Sequence, residues 1–157
     1  MKITLIAIGK TDNRNLQSLM DDYSKRLGFY ISFDLDIIPD IKNAKNLSET
    51  LQKKAEGDEI LKRTFPSDTL ILLDENGKSY SSEKFSEFLQ KKMNSGLKNL
   101  VFVIGGPYGF SEEIYKRSNG KLSLSSMTFS HQMVRLFFIE QLYRAFTILK
   151  NEPYHHR

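Results

Sequence analysis

Four short apolar runs rich in branched residues, Ile3 to Ile8, Phe33 to Ile38, Thr69 to Leu73 and Leu100 to Ile104, are separated by longer segments with apolar residues at helical spacing. Each run is bounded by turn-forming or charged residues and reads as a buried strand. The intervening segments place Leu16, Leu19, Tyr23 and Leu27, then Leu47, Leu51, Ala55 and Leu61, then Phe85, Phe88, Leu89 and Met93 on helix faces. Strand and helix therefore alternate, and a parallel connection needs a crossover of about a dozen residues or more. The expected fold class is α/β, a mostly parallel sheet flanked by helices on both faces.

Local chemistry marks the helix ends. Asn46 stands three residues before Glu49 in a capping-box pattern, and Gly96 follows a helix in Asn94-Ser95-Gly96. Ser111 opens a short helix with Glu112 and Glu113 at its positive end, and that helix stops at Ser118-Asn119-Gly120. The last helix, His131 to Lys150, carries Val134, Phe137, Phe138, Leu142, Phe146 and Leu149 and ends before Pro153. An apolar face of that width on a small chain predicts burial against a second copy.

At 157 residues, with no linker, repeat or low-complexity stretch, the chain reads as one domain, 1–157. Its 39% hydrophobic residues suffice for a core, which sets disorder aside. It has no cysteine, so disulfides, thiolate metal sites and cysteine nucleophiles are excluded. A net charge of +4 suits a polyanionic partner without naming one. The start, Met1 to Arg14, lacks the pattern of a secretory signal, and no run approaches the roughly 18 apolar residues of a membrane span, so a cytoplasmic protein is expected.

Three segments are candidates for chemistry. The first is Val101 to Gly109, a buried strand running into a glycine loop before a helix start. Ligands of open α/β sheets sit at such strand ends, although this is neither GxGxxG nor a Walker loop, and a plain tight turn reads the same way. The second is Leu122 to His131, rich in small hydroxyls. It reads either as a strand and loop holding an adenine by backbone hydrogen bonds, or as an edge strand whose neighbour Ser130 caps the last helix. The third is the tail, Tyr154-His155-His156-Arg157. Chain ends are ordinarily unstructured, yet Tyr and His stack on bases and Arg clamps phosphate. The two adjacent histidines lack metal-ligand spacing, and neither a Ser-His-Asp order nor a carboxylate pair is present.

The residues resemble, over essentially the whole chain, the SPOUT-class methyltransferases that modify a pseudouridine in large-subunit ribosomal RNA, the ribosomal RNA large subunit methyltransferase H family. The resembling pieces are Met1-Lys2-Ile3 through Gly9-Lys10, Leu73 to Lys78, Phe102 to Gly106, Leu122 to Phe129, and His131 to Arg135 through Glu140 to Ala145. The resemblance implies a C-terminal trefoil knot, against the general rarity of knots. It implies S-adenosylmethionine as cofactor, bound by Leu73, Gly105, Leu124, Ser125, Ser126, Met127, Thr128 and Phe129. It also implies a homodimer in which the tail of one subunit completes the site of the other, with Tyr154, His155 and Arg157 as the catalytic tail. The family tail is Tyr-His and one basic residue, so the extra histidine leaves open whether His156 or Arg157 fills the basic position.

Methyl transfer of this kind needs no metal: the donor is already activated, and positioning dominates. The acceptor implied is N3 of pseudouridine in the 23S ribosomal RNA, which must lose a proton. His155, of a residue type that ordinarily titrates near neutrality, is the candidate base beside a route through solvent. Two rivals stand: a ribosome-binding assembly factor without turnover, and a flavodoxin-like nucleotide module, whose phosphate loop after the first strand is missing at Gly9-Lys10-Thr11-Asp12.

Overall fold

The computed structural model describes residues 1–156. Strands β1 (Lys2–Ile8), β2 (Ser32–Ile38), β3 (Thr69–Ser79), β4 (Asn99–Ile104) and β5 (Gly120–Ser123) form one sheet in the order β2-β1-β4-β3-β5, with every neighbouring pair parallel. Alternate residues of each central strand enter different cores. Leu100, Phe102 and Ile104 of β4 face one side and Val101 and Val103 the other, which is why the run is apolar throughout.

Helices α1 (Arg14–Leu27), α3 (Ser82–Asn94) and α5 (His131–Leu149) cover the first face, where Leu89, Phe138 and Leu142 meet Leu5 and Phe102. Helices α2 (Glu49–Lys62) and α4 (Glu112–Arg117) cover the second, with Ile60 and Ile114 against Ile6, Leu72 and Val103. Among the described residues no helix is long and apolar enough to cross a membrane.

Two expectations for α2 are corrected. Its cap is Ser48, whose Oγ accepts from the Leu51 N–H at 3.2 Å, while Asn46 closes a single 3-10 turn, Ala44–Asn46. Nor does the whole leucine stripe face the sheet: Leu61 packs partly against the second core, but Leu51 is 53% exposed, and the helix buries Glu56, Gly57 and Ile60. The reason lies at Gly57, where a Cβ would come within 2.8 Å of Ser111 Oγ and 3.1 Å of Ile114 Cγ1. The helix meets α4 through the bare backbone of that glycine, which leaves Leu51 outside. The other caps follow the sequence: Ser111 and Ser130 accept from the third N–H of α4 and α5, at 3.4 and 3.1 Å.

Strand β3 runs past its apolar portion. It pairs with β5 at Ile71, Leu72 and Leu73, and resumes with Lys78 opposite Leu122 and Ser79 opposite Ser123. Leu122 is thus partner to both Leu73 and Lys78, and residues 74–77 arch across the end of β5.

The ends of β1 and α5 are joined by Arg135, whose side chain is 1% exposed. Its Nη1 donates to Gly9 O and its Nη2 to Ile8 O, both at 2.7 Å, and its Nε donates to His131 O at 3.1 Å. Burial pushes this guanidinium below its ordinary value, partly offset by Asp12 and Asp40, and no carboxylate among the described residues lies within ion-pair distance. Ile8 O and Gly9 O would lose this donor in Arg135→Met, while His131 O keeps its helical bond from the Arg135 backbone N–H. With about 1 to 3 kcal/mol for each buried group left unsatisfied, the variant is expected to lose at least about 2 kcal/mol. A thermal melt should show the midpoint lower by roughly 4 to 8 °C; an unchanged midpoint would show that the two carbonyls find other donors.

Candidate functional site

The C-terminal ends of β3, β4 and β5 open onto a cavity of about 480 Å³. Its walls are Leu73 to Asn76 after the apolar part of β3, Ile104 to Phe110 at the end of β4 and after it, Leu122 to Ser125 and Met127 to Phe129 at β5 and its loop, and His131 and Val134 on the first turn of α5. Ligands of parallel sheets collect at these ends because the loops, not the packed strands, leave room there.

The glycine loop is a tight turn, with the Gly109 N–H donating to Gly106 O at 3.1 Å and Gly109 held at φ +81°. It also forms a wall of the cavity. The serine-rich loop satisfies part of its own polarity: Ser123 Oγ donates to Ser125 O at 3.1 Å, and the Met127 N–H donates to Ser125 Oγ at 2.9 Å. The structural reading holds, since β5 is an edge strand and Ser130 caps α5, and the same loop lines the cavity.

Leu73, Gly105, Leu124, Ser125, Met127, Thr128 and Phe129 are gathered around this one cavity, whereas Ser126 is not among its lining residues. A Cβ on Gly105 would sit 3.2 Å from Phe110 Cε1 and Cζ and 3.3 Å from Gly109 O, so it would crowd the loop's own turn and not the open cavity. A Val at Gly105 would therefore distort the loop as well as any ligand contact.

Other lining residues escaped sequence reasoning. Tyr115 of α4 donates to Asp74 Oδ2 at 2.5 Å, and burial, with Asp74 next, pushes its phenol up to about 12. Asp74 Oδ1 accepts from the Asn76 N–H at 2.8 Å, which fixes the carboxylate at the cavity rim beside Glu75. The pairing brings together residues 41 apart in sequence, a separation with no periodic signature.

A second cavity, of about 400 Å³, shares Leu122, Ser123, Leu124 and Phe129 with the first and extends to Tyr80, Phe137, Glu140 and Gln141. Glu140 connects it to the tail. After α5, Asn151 takes φ +55° and the Glu152 N–H donates back to Thr147 O at 2.9 Å, turning the chain onto α1 and α5. Tyr154 donates to Glu140 Oε1 at 2.8 Å, lies 3.2 Å from the Tyr23 hydroxyl, and packs its ring against Tyr143 at 4.7 Å. Burial above all, then these hydrogen bonds, raises the Tyr154 phenol from its ordinary value. The tail through His155 is therefore docked rather than frayed, and Tyr154 has a structural duty that composition did not suggest.

His155 Nδ1 lies 3.2 Å from Arg144 Nη1, and Arg144 in turn donates to Glu140 Oε1 from Nη2 at 2.7 Å. A guanidinium only donates, so Nδ1 is the acceptor and the neutral ring carries its proton on Nε2. In this arrangement Nε2 is a donor, and acting as a base first requires the contact of Nδ1 with Arg144 to break. Arg157, also named from the sequence, lies outside the described residues. Along α5, Glu140 is six residues from Val134, about 9 Å by helical rise, so within one chain the described part of the tail is tied to a wall residue of the second cavity and lines neither cavity itself. Among the described residues, no three His, Asp or Glu side chains gather as a metal site requires.

A five-stranded parallel sheet whose strand-end loops close over a cavity beside the last helix is the architecture of a SPOUT enzyme, and the comparison of sequences agrees. The family model described as "Predicted SPOUT methyltransferase" matches residues 1–155, and the chain belongs to that family of methyltransferases. It is 74% identical over 157 residues to the ribosomal RNA large subunit methyltransferase H of Flavobacterium psychrophilum, covering 100% of both chains. It is 60% identical over 156 residues to the protein of the same name from Parabacteroides distasonis, covering 99% of each. Among solved structures, a probable methylase family protein from Haemophilus influenzae Rd KW20 superposes with a TM-score of 0.53 at 13% identity. That match covers 95% of this chain and 66% of the other, and it concerns the fold alone.

Proposed function

We propose that the chain, acting as one domain over 1–157 in the cytoplasm, methylates N3 of a pseudouridine in large-subunit (23S) ribosomal RNA with S-adenosylmethionine as cofactor, and works as a homodimer. The observation that carries this reading is the strand-end cavity, walled by a glycine loop and a serine-rich loop, in a chain 74% identical to a relative named for large-subunit ribosomal RNA methylation.

The residues present fit the cofactor. Leu73, Ile104, Leu124, Phe129 and Val134 offer apolar walls to an adenosyl group, the loop from Gly105 to Gly109 lets the backbone come close, and the Asp74 and Glu75 carboxylates suit a cationic ligand. Such a cofactor supplies a methyl group already activated on a sulfonium, so the protein's part is alignment and exclusion of water. The apolar walls serve the second task. The tail serves the first: Tyr154 is anchored by Glu140, and His155 offers its Nε2–H as a donor toward RNA, with Arg157 or His156 as the basic contact. Because tail and cavity are set apart along α5 within one chain, a partner's tail reaching this cavity agrees with the homodimer. The exposed side chains of Met127, Met133 and Phe137 near the start of α5 supply apolar area for the contact. The trefoil knot belongs to the same reading.

Calorimetric titration with S-adenosylmethionine, together with mass spectrometry of ribosomal RNA from cells lacking the protein, tests this. Binding and the loss of one methylated pseudouridine are expected. Binding without any missing methyl group would leave the assembly-factor reading, and no binding would remove the cofactor assignment.

A further inference from the structure

The acid at Glu56 has no part in the site so far described, yet it is 3% exposed and lies directly behind the glycine loop. It projects from α2 into a closed cleft lined by Gly105, Gly106 and Phe110, the residues whose other side faces the cavity. Its Oε1 has no hydrogen-bond partner, and its Oε2 accepts only a long bond from Gln52 Nε2 at 3.4 Å. A Cβ on Gly106 would lie 2.6 Å from Oε1 and closer still to Oε2, so the carboxyl occupies the volume that a side chain at that position would fill. An unpartnered polar group at such a place costs stability and is ordinarily replaced by an apolar one unless its shape or chemistry is used.

We propose that Glu56 is a positioning residue for the cofactor loop, its carboxyl group wedged beneath Gly106 so that Gly105 to Phe110 hold the shape the ligand needs. This rests on the cofactor assignment above for its consequence, though not for the contact itself. Burial pushes the Glu56 carboxyl up, with Asp40 adding to it and the Gln52 bond opposing. Lys53, the cation lining the same cleft, is not within ion-pair distance of it. An amide reproduces the shape of the carboxyl group without its charge, so glutamine can fill the same space beneath Gly106.

Three proteins test the role: wild type, Glu56→Gln and Glu56→Ala, each checked for a cooperative melt. Backbone hydrogen exchange of the ligand-free proteins reads the loop directly. Exchange across Gly105 to Phe110 should accelerate about tenfold or more in the alanine variant and stay near wild type in the glutamine variant. Titration with S-adenosylmethionine should then show a Kd raised at least about tenfold for alanine and within about threefold for glutamine, and kcat at saturating cofactor should stay within about twofold in both. Alanine and wild type exchanging alike in the loop would overturn the proposal, as would a glutamine variant as impaired as alanine. If wild type binds no S-adenosylmethionine while the loop still loosens only in alanine, the positioning role stands and the cofactor assignment is what fails.

Discussion

Removing Tyr154 to Arg157 is expected to cut methylation of ribosomes at least about a thousandfold while leaving the Kd for S-adenosylmethionine within about threefold of wild type. The expectation comes from where the two sets of residues lie. Among the described residues of one chain, none lining the strand-end cavity is later than Val134, so the walls that this chain gives to the cofactor do not include its own tail. The tail instead hangs on Glu140, Arg144 and Tyr143. Alignment of reacting groups is worth up to about 7 to 11 kcal/mol, and a thousandfold loss is only about 4 kcal/mol of that. Single changes divide the roles. Tyr154→Phe keeps the ring against Tyr143 but drops the bond to Glu140, so it should impair less than Tyr154→Ala, which undoes the docking as well. His155→Ala should lower turnover and alter its pH profile if the ring meets RNA. Of His156→Ala and Arg157→Ala, the more damaging one identifies the basic contact. A truncated protein that methylates ribosomes at the normal rate would show the docked tail to be architecture alone.

What the sequence displays, and what it hides, follows from the range of the interactions. Strands β1 and β4 are legible within one or two residues because a central parallel strand is apolar on both faces, and the edge strand β2 is legible by the alternation of Phe33, Leu35 and Ile37 with Asp34 and Asp36. The far half of β3 is not: Asp74-Glu75-Asn76-Gly77-Lys78 carries no apolar signal, since it pairs only at the sheet edge, on β5. Helix α2 misleads in part. Its leucines suggest a core face, while the real contact is Gly57 against α4 and Glu56 against the glycine loop, two residue types that periodicity treats as noise. The site divides similarly. The two loops announce themselves by composition, but Asp74 with Tyr115, Glu140 with Tyr154, and Glu56 with Gly106 are partners only once distant segments have been laid together.

The arch over β5 gives the second large effect, at Gly77. A Cβ there would lie 2.5 Å from Leu122 N, 2.6 Å from Leu122 C and 2.7 Å from Lys121 C, all backbone atoms of a paired strand. A flexible side chain could turn away from such a contact; a strand can move only by giving up its register. Gly77→Ala should therefore cost more than the about 1 to 3 kcal/mol typical of overpacking, and at about 2 to 4 °C per kcal/mol the melt should fall by roughly 10 °C or fail to be cooperative. Binding of S-adenosylmethionine should weaken with it, because Leu122, Ser123 and Leu124, the strand that must move, wall both cavities. Gly96→Ala is the matched control. That glycine sits at φ +78° with nothing within 4 Å of its missing Cβ, so alanine there meets backbone strain alone, about 1 kcal/mol, and leaves the cavities untouched. If the two variants melt within a degree or two of each other, the arch is able to lift from β5, and its close approach to Leu122 is no constraint on the fold.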